Sequence, residues 1–364
     1  MLSPIRTLRY LRSWLTGGGR VRIQSLTMER SDGPIGATWL TPSGASPPRG
    51  TWIVLHGLTR SGRHHPSLRR FTRALAATGA GVLIPDVPEW QALRLAPHAT
   101  EPTVRAALSW LEEQPGMEGG RRGLIGFSFG APQAIALSAE PELHAALSGV
   151  VAFGGYVDLE RTVRFQLTGE HGWEGRHHRH PPDPYGRWIV AGNHLTGVPG
   201  HEDHGDVAEA LLELARRAGD ARVPSRGEFM ETVKREVRPS VDPDRREVFD
   251  FLAPPGGGDP RGEEADLLAS RLAEAAVASS PGLDVRPRLP DVRGPVHLVH
   301  GRNDHLIPFT EAWRMADELP PAALAQVTVT ALFGHSAEDR FPWGRAVPEV
   351  AGFAGAMARL LGVV

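Results

Sequence analysis

The sequence predicts an α/β protein: a mostly parallel, doubly wound sheet, interrupted by one long segment without strands. Three observations predict it. Short runs at 51–55 (TWIVL), 81–84 (GVLI) and 149–153 (GVVAF) are apolar at nearly every position, as strands buried on both faces are. Stretches with helical spacing lie between such runs, and strand–helix alternation of this kind builds a parallel sheet covered on both sides. The alternation stops near residue 160 and resumes near residue 290.

The elements follow in order. Residues 1–20 hold Ile5, Leu8, Leu11 or Arg12, and Leu15 at helical spacing with Trp14 beside them, and Gly17, Gly18 and Gly19 end the helix. Arg6, Arg9 and Arg12 interrupt its apolar residues, which a secretory signal does not allow. Two readings stay open: a helix docked on the domain body, or a basic amphipathic helix in peripheral contact with a membrane surface. Residues 21–29 and 35–41 read as strands around a Ser31-Asp32-Gly33-Pro34 turn. Further strands are expected at 51–55, 81–84, 123–127 and 149–153. Helices are expected at 68–77, 100–114 (with Thr100 as its N-cap) and 132–138. The strand-free stretch contains two helical patterns, 206–218 and 263–278, and the flexible run Pro254-Pro255-Gly256-Gly257-Gly258. Beyond it come a strand at 295–299, a helix at 310–319, a strand at 327–332 and a helix at 347–361.

Composition narrows the function. The chain has 364 residues, 41% hydrophobic and 23% charged, enough for a full core without staples. It has no cysteine, which excludes disulfides, thiolate catalysis and cysteine metal sites. A net charge of −2 gives no pull toward nucleic acid. Lys234 is the sole lysine among 40 basic residues, a coding bias toward arginine. With 42 glycines and 32 prolines, loops are expected to be plentiful. No run is apolar enough to span a membrane, and a cytoplasmic location is expected by default.

The chemistry is concentrated at Gly126-Phe127-Ser128-Phe129-Gly130. This Gly-x-Ser-x-Gly pattern follows a predicted strand and precedes a predicted helix, the context in which it places a serine hydroxyl above a sheet. Side chains at Gly126 or Gly130 would crowd so tight a turn. Neither a P-loop nor a dinucleotide-binding fingerprint fits the spacing.

Four stretches, in this order, resemble the α/β-hydrolase family: LHGLTRSG at 55–62, GFSFG at 126–130, HGRNDHLIP at 300–308 and FGHS at 333–336. The resemblance covers roughly 21–160 and 290–364. It implies an α/β-hydrolase fold with a mainly helical cap inserted after the sixth strand. The domain organisation expected is then a helix at 1–20, the first part of the core at 21–159, the cap at 160–289 and the second part of the core at 290–364.

The resemblance also implies a Ser–acid–His order. Ser128 is the nucleophile and His335 its base. Asp304 accepts the Nδ1 proton of that histidine, with Asp158 as the alternative acid. The oxyanion is expected to bind the backbone N–H groups of Leu58 and Phe129. Gly57 and His56 form the first oxyanion loop, His56 by structural hydrogen bonds. Asp86 reads as a loop anchor and His305 as a rim residue. Arg60, Arg63, His64 and His65 form either a solvated loop or a rim that favours acidic substrates.

The middle segment carries His171, His177, His178, His180, His194, His201 and His204. His201-x-x-His204 lacks metal-site spacing, so a polar cap surface is expected and no metal. Tyr185, Trp188 and Trp173 are candidates for either pocket wall or core. The reading that follows is a cofactor-independent serine esterase acting on small-molecule esters of small or moderate acyl size. The alternatives are an acyltransferase, a serine peptidase or thioesterase with the same triad, or a non-catalytic binding protein on this fold. Oligomeric state is not legible.

Overall fold

The computed structural model describes residues 4–44, 47–48, 50–332 and 346–364, the side chains of 346–348 excepted. Six strands come first: β1 (Val21–Arg30), β2 (Gly33–Pro42), β3 (Gly50–Leu55), β4 (Gly81–Pro85), β5 (Arg121–Phe127) and β6 (Gly149–Phe153). A small hairpin, β7 (Glu170–Trp173) and β8 (Arg176–Arg179), stands apart from them. β9 (Val296–Gly301) and β10 (Leu324–Thr330) complete the main sheet. Its eight strands run in the order β1-β2-β4-β3-β5-β6-β9-β10. β2 is antiparallel to both its neighbours, and every other pair beyond it is parallel. This is the α/β-hydrolase architecture that the motifs imply, with the insertion after the sixth strand.

The apolar runs explain why the central strands lie inside. β3 and β4 are buried along their whole length. Alternate residues feed two cores, because successive side chains point to opposite faces. Ile53, Leu83, Leu124 and Val150 join the core that continues into the inserted segment. Trp52, Val82, Ile125 and Val151 join a second core under helices Pro66–Ala76 and Ala346–Leu360. The first two strands meet through a two-residue turn at Ser31-Asp32, shorter than the four-residue turn expected, with Arg30 paired to Gly33.

The insertion is mainly helical, but richer than the two helices its pattern predicts. It comprises Leu159–Thr168, Pro184–His194, Gly205–Ala221, Glu228–Val237, Arg246–Leu252 and Gly262–Ser279, besides the β7–β8 hairpin. Two N-caps set helix starts in this segment. Asp158 accepts from the N–H of Arg161, and Asp183 from that of Tyr185, with Pro184 in the first helical turn.

Two expectations are corrected. Thr100 does not cap its helix: it is the first helical residue of Thr100–Glu112, and its hydroxyl donates to the Pro97 carbonyl. The N-terminal helix, Pro4–Thr16, is docked on the body, but of the residues at helical spacing only Leu11 packs against the core. It buries Thr7, Tyr10 and Ser13, while Ile5, Leu8 and Leu15 face outward. Tyr10 wins the inward position because it packs edge-on against Phe71 at 5.9 Å, one aromatic in contact with another.

Candidate active site

Ser128 sits between β5 and helix Gly130–Leu137 with φ of 52°, one of four non-glycine residues with positive φ among the described residues. Left-handed backbone at a residue with a Cβ costs roughly 1–3 kcal/mol and persists only where the surroundings impose it. Here the Ser128 N–H donates to the Phe153 carbonyl at 2.8 Å, and its own carbonyl accepts from Ala131 at 3.0 Å. The glycines are sterically required. A Cβ at Gly126 would lie 2.2 Å from the Gly130 carbonyl oxygen, and one at Gly130 would lie 2.9 Å from that of His56. A Cβ at Gly57 would come within 2.9 Å of the Ser128 Cβ and 3.5 Å of its hydroxyl. The backbone at Gly57 therefore lies directly against the candidate nucleophile.

His56 is buried, and both ring nitrogens are engaged. Nε2 accepts from the Val87 N–H at 3.1 Å, which leaves Nδ1 protonated to donate to the Gly57 carbonyl at 2.8 Å. Burial lowers its pKa to about 4, against the opposing effect of the Gly57 bond, so the ring is neutral near pH 7. This bonding fixes the loop that carries Leu58. Among the described residues, the N–H groups of Leu58 and Phe129 donate to no backbone carbonyl. Both residues line the same cavity as Ser128.

That cavity has a volume of about 70 Å³. Leu306 and Ile307 close one side of it, and their N–H groups donate to Asp304 Oδ1 at 2.9 and 3.0 Å. Asp304 itself is buried at the end of β9. His300 Nε2 donates to the Ile307 carbonyl at 3.0 Å and lies 3.4 Å from Asp304 Oδ2. The structure thus brings Ser128, Leu58, Phe129 and the Asp304 loop to one place. His335, with Gly334, lies outside the described residues.

The other sequence candidates sit elsewhere. Asp158 caps helix Leu159–Thr168 and pairs with Arg161 at 3.1 Å, while buried Glu311 holds its backbone N–H at 2.9 Å. Asp86 pairs with Arg63 and accepts from Gln91, so it anchors its loop. Arg60 reaches Asp220 and the Gln91 carbonyl, both at 3.0 Å. Arg60 and Arg63 therefore tie loops together. His305 Nδ1 meets the Pro181 carbonyl at 2.7 Å, joining the Asp304 loop to the insertion. His204 Nδ1 lies 3.0 Å from Asp203, and its ring is 4.7 Å from that of His201.

The roof of the cavity is what sequence reasoning missed. Leu159, Thr162, Val163 and Gln166 come from one inserted helix, and Tyr185, Gly186, Ile189 and Val190 from the next. Spacings of three, four and seven residues in the first set were an available signal. Of the three aromatics singled out, Tyr185 lines the cavity. Trp188 is fully buried and donates to the Leu252 carbonyl at 3.2 Å. Trp173 lies on β7 against Trp313, with ring centroids 4.9 Å apart. It lines a larger outer cavity of about 630 Å³ under the hairpin, which includes neither Ser128 nor Asp304.

No family model matches the chain, and no curated protein matches it. Solved structures similar to it include the Pyrococcus furiosus esterase Pf2001, at 15% identity over 93% of this chain and 91% of that one, TM-score 0.47. Brefeldin A esterase, a bacterial homologue of human hormone-sensitive lipase, aligns at 20% identity over 98% and 86%, TM-score 0.44. An acylaminoacyl peptidase of Pyrococcus horikoshii aligns at 10% identity over 95% of this chain but 41% of its own, TM-score 0.49. These likenesses are distant, and the fold assignment rests on the strand order and pairing given above.

Proposed function

We propose that this chain is a serine hydrolase that cleaves carboxylic esters through an acyl-Ser128 intermediate. The observation that carries the reading is Ser128 at φ of 52°, facing one cavity with Leu58, Phe129 and the Asp304 loop.

The chemistry follows from the groups present. His335 takes the Ser128 proton as the hydroxyl attacks the ester carbonyl, then returns it to the leaving alcohol. Asp304 stabilises the imidazolium. Its Oδ1 is saturated by two backbone N–H groups, which fixes the orientation in which Oδ2 is presented. The N–H groups of Leu58 and Phe129 receive the negative charge of the tetrahedral intermediate. Water then attacks the acyl-enzyme by the same route in reverse. The residues taking part need no cofactor.

The cavity supports a short acyl group. Its volume of about 70 Å³ is far below that of pockets for drug-sized ligands, roughly 300–1,000 Å³. Leu58, Leu95, Leu159, Val163 and Ile189 make its lining mainly apolar.

Fluorophosphonate labelling tests the assignment. Wild-type protein should take up the label and hydrolyse short p-nitrophenyl esters, and Ser128→Ala should do neither. A labelled Ser128→Ala protein, or one that keeps its turnover, sinks the proposal. Product analysis with competing alcohols and amines separates hydrolysis from acyl transfer.

A further inference from the structure

Helix Pro4–Thr16 presents its aliphatic stripe to solvent. Ile5 is 65% exposed, Leu8 68% and Leu15 73%, while Tyr10, on the opposite side, is 0% exposed. The helix is nonetheless firmly held. Tyr10 and Trp14 both pack against Phe71, at 5.9 and 6.5 Å. Arg70 donates to the Trp14 carbonyl at 2.7 Å and lies over the Trp14 ring at 4.8 Å, and Arg6 donates to the Val364 carbonyl at 2.9 Å. The outward stripe is therefore not the loose end of a poorly packed helix.

Charge in this part of the chain is one-sided. Arg9 and Arg12 are exposed beside Leu8. The first 28 residues of the sequence contain five arginines (Arg6, Arg9, Arg12, Arg20 and Arg22) and no Asp or Glu, in a chain whose net charge is −2. The neighbouring helix, Pro66–Ala76, adds exposed Arg69 and Arg70, again with no acidic residue. A rigid helix with aliphatic side chains outward and arginines around them matches the boundary between anionic headgroups and acyl chains. The apolar residues enter the bilayer edge and the guanidinium groups meet phosphates. A helix held this way also pays no ordering cost on contact.

We propose that the outward face of helix Pro4–Thr16, centred on Leu8 with Ile5, Arg9, Arg12 and Leu15, docks the protein on an anionic membrane surface. Vesicle flotation of the full chain tests this. Vesicles containing about 30% phosphatidylglycerol should bind the protein, and pure phosphatidylcholine vesicles should bind it at least tenfold less. Binding should weaken in about 0.5 M salt, where charges are screened within a few ångströms. Leu8→Glu and the pair Arg9→Glu/Arg12→Glu should each reduce binding at least tenfold. Both leave the melting temperature and the turnover of a water-soluble ester unchanged, because these side chains are exposed and lie outside the candidate active site. Failure to bind anionic vesicles overturns the proposal, as does binding that both variants retain. Sedimentation showing a wild-type dimer that Leu8→Glu splits, with no vesicle binding, assigns the stripe to a second copy of the chain and equally overturns it.

Discussion

Gly126 and Gly57 make different demands on the same serine. At Gly126 an added Cβ meets backbone, the Gly130 carbonyl, at 2.2 Å, and backbone cannot step aside as a side chain can. Gly126→Ala should therefore lose about 2–4 kcal/mol in a denaturant titration together with most activity. At Gly57 the nearest atom is the Ser128 Cβ at 2.9 Å, so Gly57→Ala should fold and lose turnover out of proportion to stability. The two candidate acids are separated the same way. Asp304→Asn should lower kcat by roughly 10⁴-fold with its fold intact, as removal of the acid does in a Ser-His-Asp triad. Asp158→Ala should cost about 1 kcal/mol, the worth of an N-cap, and leave kcat within a few-fold. Equal kinetic effects of the two substitutions would contradict the assignment of Asp304. The reading of Ser128, Gly126 and Gly130 was available from five consecutive letters, because the steric requirement is local. The use of Asp158 was not, nor was the partner of Asp86, which reads only as a loop anchor. A carboxylate at a strand end looks the same in sequence whether it caps a helix, pairs with Arg63 or serves a histidine.

Helices Leu159–Thr168 and Pro184–His194 line the cavity beside Ser128. Ile189 lines it, so Ile189→Ala should enlarge it and move the preferred p-nitrophenyl ester to longer chains, at about 2–4 kcal/mol of stability. An unchanged chain-length profile would place the acyl group elsewhere. The central strands were legible because they are buried on both faces, and the observed bounds of the main strands differ from the expected ones by a few residues at most. The roof helices were not. Pro181, Pro182 and Pro184 read as loop, yet Asp183 caps and Pro184 starts a helix there. The β7–β8 hairpin escaped notice because its residues are polar. It is held by contacts made across the fold, such as His171 and His178 against Phe309 at 5.1 and 5.2 Å.

At the scale of the whole molecule, one continuous core runs from Leu124 and Ile135 near the Ser128 turn to Leu211, Phe249 and Leu272 in the insertion. Heating should therefore give one cooperative transition, measured by calorimetry, and not a separate event for 160–289. Acid is the condition that should weaken it. Burial lowers His56 and His194 to about 4, whereas an unfolded histidine titrates near 6.5. Between those values the unfolded chain binds protons that the folded one refuses. Stability should be intact above about pH 6.5 and fall as pH drops toward 4, with His56 alone contributing on the order of 3 kcal/mol. Urea titrations across this range check it, and His56→Gln should flatten the slope.

The sequence by itself determined the sheet, the position of the Ser128 turn and the break where the insertion begins. Each depends on residues a few positions apart: the alternation of strand faces, the glycines around one serine, the end of a strand–helix rhythm. The tertiary structure alone decided which face of helix Pro4–Thr16 turns inward, which helices roof the cavity and which carboxylates are already spent on caps and arginines. Those outcomes depend on partners distant in the chain. Tyr10 displaces the aliphatic stripe because Phe71 is there to receive it. Leu306 and Ile307 hold Asp304 because the loop after β9 folds back beside Ser128, and no local pattern records that return.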